Sequence, residues 1–167
     1  CFALGIARRL ARGGKPTEFV LVDRVNAMRS EARAEFERLG GTVEFLMADI
    51  FDWLREPAAK PCDAIVANLF LHHFSEAQLT ALFQQMSLRT GLFIAVEPRR
   101  SQWCLRFSQL LWVLGCNQVT RHDAQVSVRA GFAGRELSRL WPVTPGWHLE
   151  ERAAGLFSHL FVARRKD

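Results

Sequence analysis

No apolar run in this chain approaches the roughly 20 residues that a membrane span needs. Residues 100–115 come nearest, but Arg106 and several polar residues interrupt them. No basic-then-apolar secretory pattern opens the sequence either. Cysteine is scarce, with residues only at 1, 62, 104 and 116, and their spacing matches neither a metal-ligand pattern nor a thiol-redox pair. A zinc or other metal site is therefore not expected, and a reduced, cytoplasmic setting is. Internal repeats, low-complexity tracts and linkers are also absent, so residues 1–167 read as a single domain long enough for a sizeable core. An initiator methionine is missing, and the first residues already have helical periodicity. The sequence is expected to begin inside a longer protein.

The chain is otherwise ordinary for a globular protein: 49% of its residues are apolar and its net charge is +5. Basic residues cluster at Arg8, Arg9, Arg12 and Lys15, and again at Arg164, Arg165 and Lys166. These read as solvated helix and terminal charges, so nucleic acid is not the expected partner. The sequence carries no signal for oligomeric state.

Periodicity divides the chain into alternating elements. Phe2, Ile6 and Leu10 mark a helix over 1–11, which Gly13, Gly14 and Pro16 end. Residues 17–22 form a strand. Val25, Met28, Ala32, Phe36 and Leu39 stripe a helix over 25–39, which Gly40 and Gly41 stop. Residues 43–48 form a second strand, and 50–54 a turn of helix. A third strand over 64–68 precedes a capping box in which Ser75 is the cap and Gln78 stands three residues on. The helix it opens carries Leu79, Leu82, Phe83 and Met86. A fourth strand spans 92–96. Residues 101–114 read as an amphipathic helix, 134–141 as a short helix, and 147–152 with 156–163 as a hairpin turning at Gly155. This alternation implies an α/β fold with a mostly parallel sheet, helices on both faces and a C-terminal antiparallel hairpin.

The strands end in polar residues. The apolar run Phe19–Val22 is followed by Asp23, the next strand by Asp49, the third by Asn68 and the fourth by Glu97. Open α/β sheets bind ligands beyond the carboxyl ends of their strands. An ionised Asp there offers two acceptor oxygens, as a ribose diol requires. The competing roles are a solvated loop acid or helix cap for Asp23, a helix cap for Asp49 and a turn for Asn68.

The pieces Val20-Leu21-Val22-Asp23, Met47-Ala48-Asp49, Asp63 to Asn68 with Leu71-His72-His73, and Glu97-Pro98 resemble the class I S-adenosylmethionine-dependent methyltransferases in order and interval. The resemblance covers nearly the whole chain and implies a Rossmann-like fold with S-adenosylmethionine as cofactor. Asp23, with Arg24 beside it, would hold the ribose hydroxyls. Asp49 would accept from the adenine amino group, Ile50 would lie against the ring, and Asn68 would line the methionine end. The family's glycine-rich loop is absent, because Gly13 and Gly14 follow the first helix rather than precede it. That loop and the strand before it are expected upstream. In the family that first strand lies between the strands bearing Asp23 and Asn68.

Methyl transfer from a sulfonium is mainly a matter of alignment, and a base helps when the acceptor is a hydroxyl. The candidates are His72, His73 and His122. As neighbours, His72 and His73 should point in different directions. An insertion around 99–131 is expected to cover the acceptor, with Glu97, Arg99, Trp103 and Phe107 as contacts and Trp112, Arg121 and Arg129 nearby. An apolar wall there suits a small hydrophobic or aromatic acceptor. The alternatives are RNA or protein methylation and a non-catalytic, methyltransferase-like binding domain. Against methylation of a base amino group, Leu69-Phe70-Leu71 stands where that branch of the family carries two prolines and an aromatic.

Overall fold

The computed structural model describes residues 2–14, 17–25, 30–56, 61–101 and 130–166. The chain divides into two compact units, residues 1–59 and 60–167. No helix among the described residues is long and apolar enough to cross a membrane.

The first unit comprises α1 (Phe2–Ala11), β1 (Glu18–Asp23), α2 (Ser30–Arg38), β2 (Thr42–Met47) and α3 (Ile50–Arg55). β1 and β2 run parallel, from Glu18 opposite Thr42 to Asp23 opposite Met47. A parallel pair needs a crossover, and the chain segment carrying α2 supplies it. Ala7 of α1, Phe36 of α2 and Val43 of β2 are the buried core of this unit, with Phe19, Leu21 and Leu39 packed against them. The Phe19 and Phe36 rings lie 5.0 Å apart. Gly41 sits where a Cβ would come within 2.9 Å of the Thr17 carbonyl oxygen, so the start of β2 needs glycine.

The helical stripe read from the sequence begins at Val25, but the structure differs. Val25 is exposed and precedes the helix, and its N–H donates to Asp23 Oδ1 at 3.0 Å. This local side-chain turn competes with helix formation. Met28 lies outside the described residues.

The second unit comprises β3 (Ile65–Asn68), a 3₁₀ turn (Leu71–His73), α4 (Glu76–Arg89), β4 (Leu92–Pro98), α5 (Glu136–Leu140), β5 (Trp147–Ala154) and β6 (Ser158–Arg165). The strand order is β3-β4-β6-β5, with β3 and β4 parallel and the other pairs antiparallel. Register and burial put Ala67, Phe93, Ala95, Glu97, His159, Phe161 and Ala163 on one buried face. Phe83 of α4 meets Phe93 and Phe161 there, at 5.7 and 5.9 Å between ring centroids. Trp141 fills the remaining space, 5.2 Å from Phe83 and 5.5 Å from Phe93. The parallel strands and closing hairpin of the α/β fold are therefore present. Among the described residues, β1 pairs only with β2, and β3 pairs with β4 alone on its side of the sheet.

Two sequence readings shift here. The last strand starts at Ser158, and Leu156 and Phe157 belong to the turn. Gly155 opens that turn at φ +75°, and Ala154 pairs with Ser158 across it. The helix read over 101–114 falls almost wholly on residues 102–129, outside the described part, as do Trp103, Phe107, Trp112, Arg121, His122 and Arg129. The chain on either side of that stretch is joined. Phe132 N–H donates to the Pro98 carbonyl and Arg100 N–H to the Phe132 carbonyl, each at 2.9 Å. A Cβ at Gly131 would meet the Pro98 carbonyl oxygen at 2.3 Å, so this crossing admits only glycine.

Glu151 ties α5 to the sheet. Its Oε1 accepts from Leu137 N–H at 3.1 Å and from His159 Nε2 at 2.8 Å, and its Oε2 accepts from Ser138 N–H at 2.7 Å. Burial raises the carboxyl pKa, but the hydrogen bonds from His159, Ser138 and Leu137 outweigh it and hold the group below its ordinary value of 4.5. A carboxyl depressed on folding binds fewer protons in the native state than in the unfolded chain. Its contribution is therefore full above the unfolded pKa and is lost as pH falls through the folded one. In urea titrations the wild type should lose stability on acidification below 4.5, and Glu151→Gln should be less stable at neutral pH with a flatter acid limb. Parallel pH curves for the two proteins would contradict this role.

Candidate active site

In the first unit, Asp23 and Asp49 stand at the carboxyl ends of neighbouring parallel strands. Asp23 closes β1 opposite Met47, and Ala48 N–H donates to the Asp23 carbonyl at 3.0 Å. Asp49 follows one residue later. Each acid has one oxygen in local use. Asp23 Oδ1 holds the turn at Val25, and Asp49 Oδ1 accepts from Phe51 N–H at 2.8 Å as the cap of α3. Asp49 Oδ2 faces Arg24 Nε at 4.0 Å. Ile50 opens α3 and is half-buried. Asp23 Oδ2 takes no hydrogen bond among the described residues. The cap and turn roles read from the sequence are thus real, and each uses only part of its carboxylate.

In the second unit, Glu97 is the organising group, with its side chain 0% exposed. Oε1 accepts from Phe70 N–H and Leu71 N–H, each at 2.9 Å. Oε2 is 2.8 Å from His72 Nδ1 and 3.4 Å from His72 N. The carboxylate therefore grips the 3₁₀ turn that follows β3. The sequence reading puts Glu97 against the acceptor. The structure corrects this: the chain's own donors occupy both oxygens, and the group faces inward.

The same contact fixes His72. A carboxylate only accepts, so in this contact the hydrogen belongs on Nδ1, and in the matching neutral tautomer Nε2 is the acceptor. The His72 side chain is 6% exposed, whereas neighbouring His73 is exposed. Their ring centroids are 4.1 Å apart and their planes are tilted by 41°. The two histidines thus differ in burial, and His72 is the one with an orienting partner.

Asn68 pairs with Val96 at the end of β3, so its side chain lies on the sheet face opposite Glu97. Leu69 follows at φ +52°, which is unusual outside glycine, and its N–H donates to the Val96 carbonyl at 2.9 Å. Arg99 is half-buried beyond β4. Its N–H donates to the Phe157 carbonyl at 2.8 Å, and its neighbour Arg100 is ion-paired with Glu136. The structure thus groups Asn68, His72, Glu97 and Arg99 at one end of the second unit. Asp23, Arg24, Asp49 and Ile50 gather at the strand ends of the first. Sequence reasoning missed the grip of Glu97 on residues 70–72 and the pairing of His159 with Glu151. The first spans about 25 positions in the chain, and no local signal announces it.

The methyltransferase domain family matches residues 3–89, more than half of the chain. The chain belongs to this family. Among solved structures, a putative O-methyltransferase from Nostoc punctiforme is 11% identical, with a TM-score of 0.60 over 97% of this chain and 56% of its own. An O-methyltransferase family protein from Burkholderia thailandensis is 15% identical, with a TM-score of 0.56 over 99% of this chain and 55% of its own. Magnesium protoporphyrin IX methyltransferase from Synechocystis, solved with bound SAH, is 12% identical, with a TM-score of 0.51 over 97% of this chain and 80% of its own. The chain thus spans about half the length of the first two. At these identities the likeness is one of fold, the Rossmann-like fold of the class I S-adenosylmethionine-dependent methyltransferases. No curated protein matches the chain.

Replacing Glu97 with Leu removes the oxygen that accepts from both Phe70 N–H and Leu71 N–H. Each buried group left unpaired costs about 1–3 kcal/mol. Glu97→Leu should therefore lower the unfolding free energy and speed hydrogen exchange at the Leu71 amide. Unchanged exchange there would show that the carboxylate does not hold the turn.

Proposed function

We propose that residues 1–167 act as one methyltransferase domain that transfers a methyl group from S-adenosylmethionine to a hydroxyl of a small, hydrophobic or aromatic acceptor. The observation that carries this reading is the 2.8 Å contact between His72 Nδ1 and Glu97 Oε2. A carboxylate that fixes an imidazole in one tautomer makes the opposite nitrogen a directed base.

The cofactor assignment rests on the donor set at the β1 and β2 ends. Asp23 Oδ2 and Asp49 Oδ2 are the oxygens that local turns leave over. They suit the ribose hydroxyls and the adenine amino group respectively, with Ile50 against the ring. When bound, S-adenosylmethionine supplies a methyl carbon already activated by its sulfonium. The chain's own work is then alignment and proton transfer. His72 Nε2 takes the proton that the acceptor oxygen sheds as it gains the methyl group. Glu97 stabilises the imidazolium formed and keeps the ring from turning. Arg99 lies near the acceptor end and suits a phenolate or an acid group on the acceptor.

In the full chain, His72→Gln should lower the rate of labelled methyl transfer by about 10²–10⁴, while S-adenosylhomocysteine affinity stays close to the wild type's. Asp23→Ala should do the reverse and weaken S-adenosylhomocysteine by about tenfold or more, since a hydrogen bond to a charged group contributes about 1.5–3 kcal/mol. Calorimetric titration separates the two. Unchanged turnover in His72→Gln, or unchanged binding in Asp23→Ala, would refute the corresponding assignment.

A further inference from the structure

The turn between β5 and β6 carries an unusual pair of residues. Tight turns favour Gly, Asn, Asp, Ser and Pro. Here Gly155 is followed by Leu156 and Phe157, which are 68% and 51% exposed. The turn stands at the same end of the sheet as the His72–Glu97 pair. β6 runs antiparallel to β4, its first residue Ser158 lies opposite Pro98, and Arg99 N–H donates to the Phe157 carbonyl at 2.8 Å. The tip is therefore fastened beside the end of β4, two residues past Glu97.

Leu69 stands on the other side of β4. It is 56% exposed and held at φ +52°. A non-glycine residue in that region is strained and persists only when its surroundings enforce it. The bond from Leu69 N–H to the Val96 carbonyl and the grip of Glu97 on Phe70 and Leu71 do so here. With β3 and β6 flanking β4, the main chain at Leu69 and at Phe157 lies about 10 Å apart, or two strand spacings. Two of the charged groups at this end are already engaged: Glu97 by the 3₁₀ turn and Arg100 by Glu136.

We propose that Leu156 and Phe157 on the turn, with Leu69 across β4, form an apolar rim that holds the flat, uncharged body of the acceptor while its hydroxyl meets His72. This rests on the methyl-transfer reading above and goes beyond it by assigning acceptor selectivity to the hairpin tip. Exposed apolar side chains grouped beside a directed base mark a contact surface. An aromatic ring supplies the face that phenylalanine and leucine can cover.

The test uses the full chain and naphthol, a flat apolar phenol, with binding read from its own fluorescence. The double variant Leu156→Ser/Phe157→Ser should weaken naphthol by about tenfold or more. It should leave S-adenosylhomocysteine affinity, thermal midpoint and sedimentation coefficient unchanged. Phe157→Leu should keep most of the naphthol affinity. Equal naphthol binding by wild type and double variant overturns the proposal. So does wild type that binds S-adenosylhomocysteine but not naphthol, and so does a change in association state, which would make the tip a contact between copies. A wild type that fails to bind S-adenosylhomocysteine instead defeats the methyl-transfer reading, a result separable from the naphthol arm.

Discussion

A carboxylate removed from water must be matched by donors, and that requirement at Glu97 organises the end of the second unit where β3 and β4 finish. Burying an ionised carboxylate without partners is strongly unfavourable. At Glu97 the partners are the Phe70 and Leu71 amides and the His72 ring. Meeting the electrostatic need of one group thus shapes the turn after β3, sets the His72 tautomer and supports the left-handed Leu69. Glu151 repeats the arrangement on the same sheet face. It draws in His159 and the start of α5. Two buried acids therefore anchor the loop and helix that flank β4 and β6.

The first unit uses its acids differently. Asp23 and Asp49 lie at strand ends, and each gives one oxygen to a local turn or cap. The remaining oxygen of Asp49 faces Arg24. A strand-end acid can therefore be a structural cap and a binding group at once, because a carboxylate has more acceptor capacity than one backbone amide uses. Family membership implies S-adenosylmethionine as the ligand.

Much of this was legible in the sequence because it is local. Phe19–Val22 reads as a buried strand; it forms a strand, but Val20 is exposed and none of its residues is fully buried, whereas Ser75 with Gln78 reads as a capping box, which the structure contains in full. Elements with a clear period and a clear stop landed within a few residues. The errors fell where a side chain overrides the pattern. Asp23 captures Val25 N–H and holds it out of the helical stripe. Gly155 starts a turn that takes Leu156 and Phe157 out of the last strand. Glu97 read as an acceptor contact because an acid at a strand end looks exposed in one dimension. Its partners lie far back along the chain, and only the pairing of β3 with β4 brings them near.

The central claim is that Glu97 holds the His72 hydrogen on Nδ1 and leaves Nε2 as the base. Long-range proton–nitrogen correlation spectra of the ¹⁵N-histidine-labelled protein read the tautomer of each ring directly, and the His72→Gln spectrum assigns the signal. The account predicts the Nδ1–H tautomer for His72 in the wild type and a mixture of tautomers in Glu97→Leu. A ring protonated at Nε2 in the wild type would contradict it.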